Sequence, residues 1–215
     1  MNGLMDRTVT GFIDEVDSRS SAPGGGSVSA LSSALGVALV RMVGHLSVSK
    51  KRFMKLDQPI QDEFKRTVFE LENKRKRLEE LVELDTKAFE RIMAALALPK
   101  GTDQEKSARK KELEDATLEA INVPLEVAQV SIRALQSIER IMRYGSKQAI
   151  SDIGVATLMI SSGVEGACMN VLINLPGLSD DALKKTYRQE AEKMIETAHI
   201  HRDDYARQVL ETMGK

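Results

Sequence analysis

The 215-residue chain is 42% hydrophobic and carries 31 basic against 32 acidic residues, a formal net charge of −1. That is enough apolar material for one substantial core, in a single domain over residues 1–215. The balanced charge argues against a dedicated nucleic-acid binder, which shows a basic excess, and the lone cysteine, Cys168, excludes an internal disulfide and fits a reducing compartment.

Asp6, Asp14, Glu15 and Asp17 near the start predict no secretory leader, and the longest uncharged apolar run, residues 28–40, is too short to span a bilayer. A cytoplasmic protein with no membrane partner is therefore expected. Residues 3–19 are expected to form a first helix with Met5, Val9, Phe12, Ile13 and Val16 on its buried face.

Gly24, Gly25 and Gly26 follow and lead into Ser27, a candidate N-cap. Glycines can adopt backbone angles closed to other residues and let a ligand approach the main chain. The first N–H groups of the next helix would point back into this loop, where the positive end of the helix dipole favours an anion. No strand precedes the loop and no Gly-Lys-Ser/Thr follows, so it is neither a P-loop nor a dinucleotide fingerprint.

Behind it, Val28, Leu31, Leu35, Leu39, Met42, Val43 and Leu46 form an apolar stripe, while Ala30, Ala34, Ala38, Ser32, Ser33, Gly36 and Gly44 occupy the other faces. A helix apolar or small on every side is expected to be buried. Lys50, Lys51, Arg52 and Lys55 then form a basic cluster, favourable at a helix C-terminus.

From Pro59 a helix is predicted over residues 60–98, with Leu71, Leu78, Leu81, Val82, Phe89, Ile92 and Met93 on its buried side. Its basic run, Lys74 to Arg77, is paired with glutamates at four-residue spacing (Glu70–Lys74, Glu72–Lys76, Arg75–Glu79, Lys76–Glu80), the pattern of a solvated face. After a loop at 99–103, a second long helix is expected over 104–143, kinked or broken by Pro124 near Asn122–Val123.

Gly145 closes that helix, and Ser151 or Asp152 is expected to cap the next, 152–174, which again uses small residues: Gly154, Ala156, Ser161, Ser162, Gly163, Gly166 and Ala167. It should pack near the first small-residue helix. A turn at Pro176–Gly177 and a cap at Ser179 lead to a last amphipathic helix, 180–213. Its inner face is expected to be Leu183, Tyr187, Ala191, Met194, Ile195, Ala198, Tyr205, Val209 and Leu210. No segment alternates with period two. The fold class is all-α: a single-domain bundle of long helices around two small-residue-rich buried helices.

Asp85 continues the apolar stripe of the 60–98 helix at spacings of three and four, which turns a carboxylate toward the core or a cleft. Desolvation there would raise its pKa and suit proton transfer; a buried Asp capping a neighbouring helix or pairing with a lysine would look the same. Asp152 reads first as a structural N-cap. Asn170 and Asn174 share one face of an apolar segment, so if buried they need partners, either backbone or ligand. His199 and His201 point to different sides of a helix and His45 is remote, so no metal is expected. Cys168 sits among small apolar residues and reads as a structural thiol.

Pro23–Gly24–Gly25–Gly26–Ser27, the apolar helix and Lys50–Lys51 together resemble the cyclodeaminase/cyclohydrolase family of tetrahydrofolate enzymes. Leu84–Asp85 with Ala88–Phe89, Val123–Pro124–Leu125, Ser151–Asp152–Ile153–Gly154–Val155–Ala156 and Asn170–Val171–Leu172–Ile173–Asn174–Leu175 follow in the family's order over nearly the whole chain. The chain differs at Ser49, where members commonly carry Gly, and at Gly145–Ser146–Lys147, where they commonly carry an Asn.

The resemblance implies an all-helical homodimer acting on a tetrahydrofolate derivative, polyglutamylated forms included. The leading implied reaction is hydrolysis of 5,10-methenyltetrahydrofolate to 10-formyltetrahydrofolate. The alternative is closure of 5-formimidotetrahydrofolate to the methenyl form with loss of ammonia. A non-catalytic folate-binding or scaffolding dimer is the reading of another class. On the resemblance, Asp85 manages protons at the one-carbon unit, with Asp152 as a second candidate. Gly24, Gly25, Gly26, Ser27 and Asn170 hold the ligand, and Lys50 and Lys51 attract its glutamate carboxylates.

Overall fold

In the computed structural model, which describes residues 3–214, seven α-helices follow one another: α1 (Val9–Val16), α2 (Gly25–Val48), α3 (Lys51–Met54), α4 (Gln58–Ala97), α5 (Asp103–Tyr144), α6 (Ile150–Asn174) and α7 (Asp181–Met213). Three 3-10 turns lie at Leu4–Asp6, Lys147–Ala149 and Leu175–Gly177, and no strand occurs among the described residues.

Small residues decide the centre. α2 and α6 run antiparallel: a Cβ on Gly166 would meet Ser29, one on Gly163 would meet Ser33, and one on Gly36 would meet Ile160. Glycine and serine thus let the two backbones approach to a separation that larger side chains would prevent. α4 packs on the other side of α2, with Gly44 against Val68, and α5 and α7 close the bundle around α6. Unlike the short 28–40 run read from the sequence, the full α2 and the segment around α6 are each long and apolar enough to cross a membrane, but about half of each apolar window is buried within the bundle.

The burial of α2 is one-sided. Its buried residues are Gly26, Ser27, Ser29, Ala30, Ser33, Ala34, Gly36, Val37, Val40, Val43, Gly44 and Ser47. Of the large apolar stripe, Val28, Leu35, Met42 and Leu46 remain exposed. A helix apolar on every side gives no preference from pattern alone, so side-chain size selects the inner face.

Several boundaries differ from the sequence expectation. The first helix is interrupted before Thr8, whose hydroxyl accepts from the Gly11 N–H and caps α1. Leu4 and Phe12 are buried, whereas Val9, Ile13 and Val16 face solvent. Asp180, not Ser179, caps α7 by accepting from the N–H groups of Ala182 and Leu183, and Leu210 lies outside the inner face of that helix. α6 starts at Ile150, so Asp152 lies inside its first turn rather than at the cap.

Pro124 does not break α5, which continues unbroken to Tyr144. A proline without an N–H leaves the carbonyl four residues earlier without its helical donor. Here that carbonyl is Ala120, and the Asn174 side chain donates to it at 3.0 Å. The hydrogen bond lost within α5 is replaced from α6.

Arg77 pairs with Glu126, and Arg91 with Glu112 and Glu119, linking α4 to α5. Part of the basic run 74–77 therefore joins two helices, while Lys76–Glu72 and Arg75–Glu79 form the expected four-residue pairs.

Candidate active site

The first turn of α2, the middle of α4 and the last turns of α6 converge on a cleft of about 300 Å3. α2 supplies Gly24 and Gly25, α4 supplies Asp85, Phe89 and Ile92, and α6 supplies Asn170, Ile173 and Asn174.

α2 begins one turn earlier than its cap signal suggested. Gly24 is the N-cap, and Ser27 is the third helical residue, fully buried. Its Oγ lies 2.8 Å from the Val82 carbonyl, 3.1 Å from Asp85 Oδ2 and 3.2 Å from Thr86 Oγ1. A hydroxyl has one proton to give. When Asp85 is ionised, Ser27 donates to it; when Asp85 is protonated, it donates to Ser27, and Ser27 donates to Val82. The contact accommodates both charge states of the carboxyl.

Burial pushes the Asp85 carboxyl above the ordinary carboxylate range, while hydrogen bonds from the Ser27 hydroxyl and N–H pull the other way. The positive end of α2 also faces it and favours the ionised form. The balance leaves a carboxyl that can take and return a proton, the property general acid–base chemistry needs.

The glycines work by size, since no glycine among the described residues has positive φ. A Cβ on Gly26 would lie 2.0 Å from Asp85 Oδ1, and one on Gly25 would lie 3.1 Å from Asn170 Nδ2. The main chain of α2 reaches the two polar side chains only because those Cβ atoms are missing. Close approach, not unusual backbone angles, explains the loop.

One chain does not bring all the sequence candidates together. Gly24, Gly25, Gly26, Ser27, Asp85 and Asn170 meet at this end. Lys50 and Lys51 lie past the far end of α2, about 36 Å away at 1.5 Å per residue. There they line a basic cavity of about 360 Å3 with Arg52, Lys147 and Gln148. Asp152, in the first turn of α6, is also at that remote end. A Cβ on Gly145 would lie 2.3 Å from the Ile141 carbonyl, so glycine is required at this departure from the family pattern. Burial lowers the Lys147 pKa, with Arg52 adding to the effect.

Sequence reasoning missed Thr86 as a site residue and placed Phe89 and Ile92 in the core. Both lie on the stripe that carries Asp85, so the signal was the carboxylate itself: a polar residue in an apolar stripe marks neighbours that face a cleft. Asn174 was seen, but its partner Ala120 was not. Burial pushes the Cys168 thiol up to about 12, which leaves it inert as a nucleophile.

An antiparallel pair of small-residue helices with a desolvated carboxylate against a glycine-lined helix start defines a helical bundle with an acid–base cleft. Residues 8–193 match the formiminotransferase-cyclodeaminase family, and the chain belongs to it. It is 34% identical over 193 residues to a methenyltetrahydrofolate cyclohydrolase of Methylorubrum extorquens, covering 90% of this chain and 91% of the relative. It is 34% identical over 195 residues to the formimidoyltransferase-cyclodeaminase of Rattus norvegicus, covering 91% of this chain but 35% of that relative. The crystal structure of a formiminotetrahydrofolate cyclodeaminase from Thermotoga maritima is similar over 99% of this chain and 100% of that one, with a TM-score of 0.84 and 27% identity.

Proposed function

We propose that the chain hydrolyses 5,10-methenyltetrahydrofolate to 10-formyltetrahydrofolate. The observation that carries this reading is Asp85, held against Ser27 at the start of α2 with its pKa raised by burial. Similarity to the Methylorubrum cyclohydrolase over nearly the whole of both chains favours this reaction over the alternative.

In this reading a water molecule adds to the cationic methenyl carbon and gives one proton to Asp85. The resulting carbinolamine collapses as its hydroxyl proton leaves to solvent and the bond to N5 breaks. Asp85 returns the first proton to N5, so one water is consumed and one proton released. Ser27 follows the carboxyl through both states, and Phe89 and Ile92 limit competing water.

Cyclodeamination is the second reading, favoured by the likeness to the Thermotoga structure. There the formimino group reacts as its protonated, amidinium form: Asp85 takes the N10 proton as N10 attacks the formimino carbon, then delivers it to the resulting amino group, which departs as ammonia and leaves the methenyl cation. The same residues serve, because both reactions pass through a tetrahedral carbon between N5 and N10.

We also propose that the protein works as a homodimer built on the exposed face of α2 and α6. Val28, Leu35, Met42 and Leu46 on α2 and Val155, Leu158 and Met169 on α6 are exposed together, and α1 exposes Val9, Ile13 and Val16. So many exposed large apolar side chains on two neighbouring helices suit an interface. The α2 stripe is nearly symmetric about residue 37: antiparallel pairing of two copies sets Val28 opposite Leu46 and Leu35 opposite Leu39. That arrangement brings Lys50 and Lys51 of the partner subunit toward the Asp85 cleft, where they would meet the glutamate carboxylates of the substrate.

The first test follows the near-ultraviolet absorbance of methenyltetrahydrofolate with and without protein. Accelerated loss, abolished in Asp85→Asn, supports cyclohydrolase. A signal that rises from formimidotetrahydrofolate supports cyclodeaminase instead. Binding without turnover of either substrate leaves a non-catalytic folate-binding protein.

A further inference from the structure

Pro124 and Asn174 are 50 positions apart, yet one explains the other. Proline at 124 frees the Ala120 carbonyl, and Asn174 Nδ2 donates to it at 3.0 Å and to the Asn170 carbonyl at 2.9 Å. Both amide protons are thereby used, which fixes the orientation of the group. Its Oδ1 is left without a donor among the described residues, on a side chain that lines the cleft. One turn earlier Asn170 Nδ2 donates to the Gly166 carbonyl at 2.8 Å, and its Oδ1 likewise receives no donor.

We propose that Asn174, latched by the carbonyl that Pro124 frees, is a specificity-determining acceptor that reads the 2-amino and N3–H edge of the substrate's pterin ring. Two acceptors one helical turn apart, each on an amide whose nitrogen is turned to a backbone carbonyl, suit a planar ligand edge that carries adjacent N–H groups. Asn170 supplies the second acceptor. A site built to accept from an N–H rejects a ligand that lacks it, because a partly buried acceptor is then left unpaired. Asp85, contributed by α4, remains for the one-carbon unit. The inference rests on the folate reading above and adds the residue that selects the ring.

The test is calorimetric binding of tetrahydrofolate and of its 2-desamino-2-methyl analogue, which lacks the amino donors, to wild type and to Asn174→Leu. Wild type is expected to prefer tetrahydrofolate by ~10-fold or more, and Asn174→Leu to bind it ~10-fold more weakly with the preference abolished. Because Asn174→Leu strips Ala120 of its donor, the double variant Pro124→Ala/Asn174→Leu, in which residue 124 supplies the helical N–H, controls for folding. It is expected to fold and to show the same lost preference. Pro124→Ala alone, which gives Ala120 a competing partner and loosens the latch, is expected to weaken binding by a smaller factor. Retained discrimination in the folded Asn174 variants overturns the assignment. Failure of wild type to bind tetrahydrofolate at all would instead remove the folate reading.

Discussion

Gly26 lies so close to Asp85 that a Cβ would stand 2.0 Å from the carboxylate oxygen. The carboxyl is thus held between the backbone of α2 and the Ser27 hydroxyl, and its position depends on an atom that is absent. Gly26→Ala should push Asp85 out of place while leaving every polar group of the site intact. A displacement near 1 Å at a reacting group costs on the order of 100-fold in rate. The overpacking should lower stability by about 1–3 kcal/mol. Methenyl hydrolysis and thermal unfolding measured on one preparation would separate the two effects, and a fully active Gly26→Ala variant would remove the close-packing argument.

The pH behaviour of Asp85 has a definite sign. Its folded pKa is raised above the ordinary value of 3.8, chiefly by burial. Between the unfolded and the folded pKa the native state therefore holds more protons than the unfolded state, and stability falls as pH rises through that window. Asp85→Asn removes this cost, so it should unfold at a higher temperature than wild type at pH 7 and show little difference at pH 3. If the ionised carboxyl is the base, kcat/KM for hydrolysis should rise with pH along an acid limb lying above the usual carboxylate range. A flat profile through that range would exclude Asp85 as the titrating group.

Gly163 fills no space and so defines the spacing of the central pair: a Cβ there would lie 1.9 Å from Ser33 Oγ and 2.7 Å from the Ser29 carbonyl. Relief would require α2 and α6 to separate. Gly163→Ala is expected to destabilise the fold by about 1–3 kcal/mol, toward the upper end because backbone as well as side chain is struck. Chemical denaturation would check it. An unchanged midpoint would mean that the two helices are less tightly seated than the glycine contacts require.

What the sequence made legible follows from the same contacts. The runs of Ala, Gly and Ser announced two close-packed helices, and the periodic stripes of α4 and α7 announced their partners. Asp85 was visible because a charge interrupted an apolar stripe. The inner face of α2 was not visible, since Leu35 and Gly36 both fit an uncharged helix and only the closeness of Ile160 on α6 selects the smaller one. The role of Pro124 was hidden for a related reason: the carbonyl it frees is satisfied by Asn174, whose nearness is a property of the folded bundle. Lys50 and Lys51 were legible as a basic cluster but not by location, because a continuous helix carries them a full helix length from the glycines.

That separation makes the dimer testable through function. Leu35, 49% exposed near the centre of the α2 stripe, should tolerate a charge in a monomer but not in the proposed interface. Leu35→Glu is expected to remain helical and to sediment as a monomer where wild type sediments as a dimer. If Lys50 and Lys51 of the partner subunit complete the cleft, Lys50→Glu/Lys51→Glu should raise KM for a polyglutamylated substrate with little change in kcat. Mixing that variant with inactive Asp85→Asn after denaturation and joint refolding would then create heterodimers in which one cleft has both its native Asp85 and native lysines. Half-wild-type kcat with a restored low KM per heterodimer is the expected outcome. Restored turnover only with the high KM of the lysine variant would show that each cleft uses the lysines of its own chain.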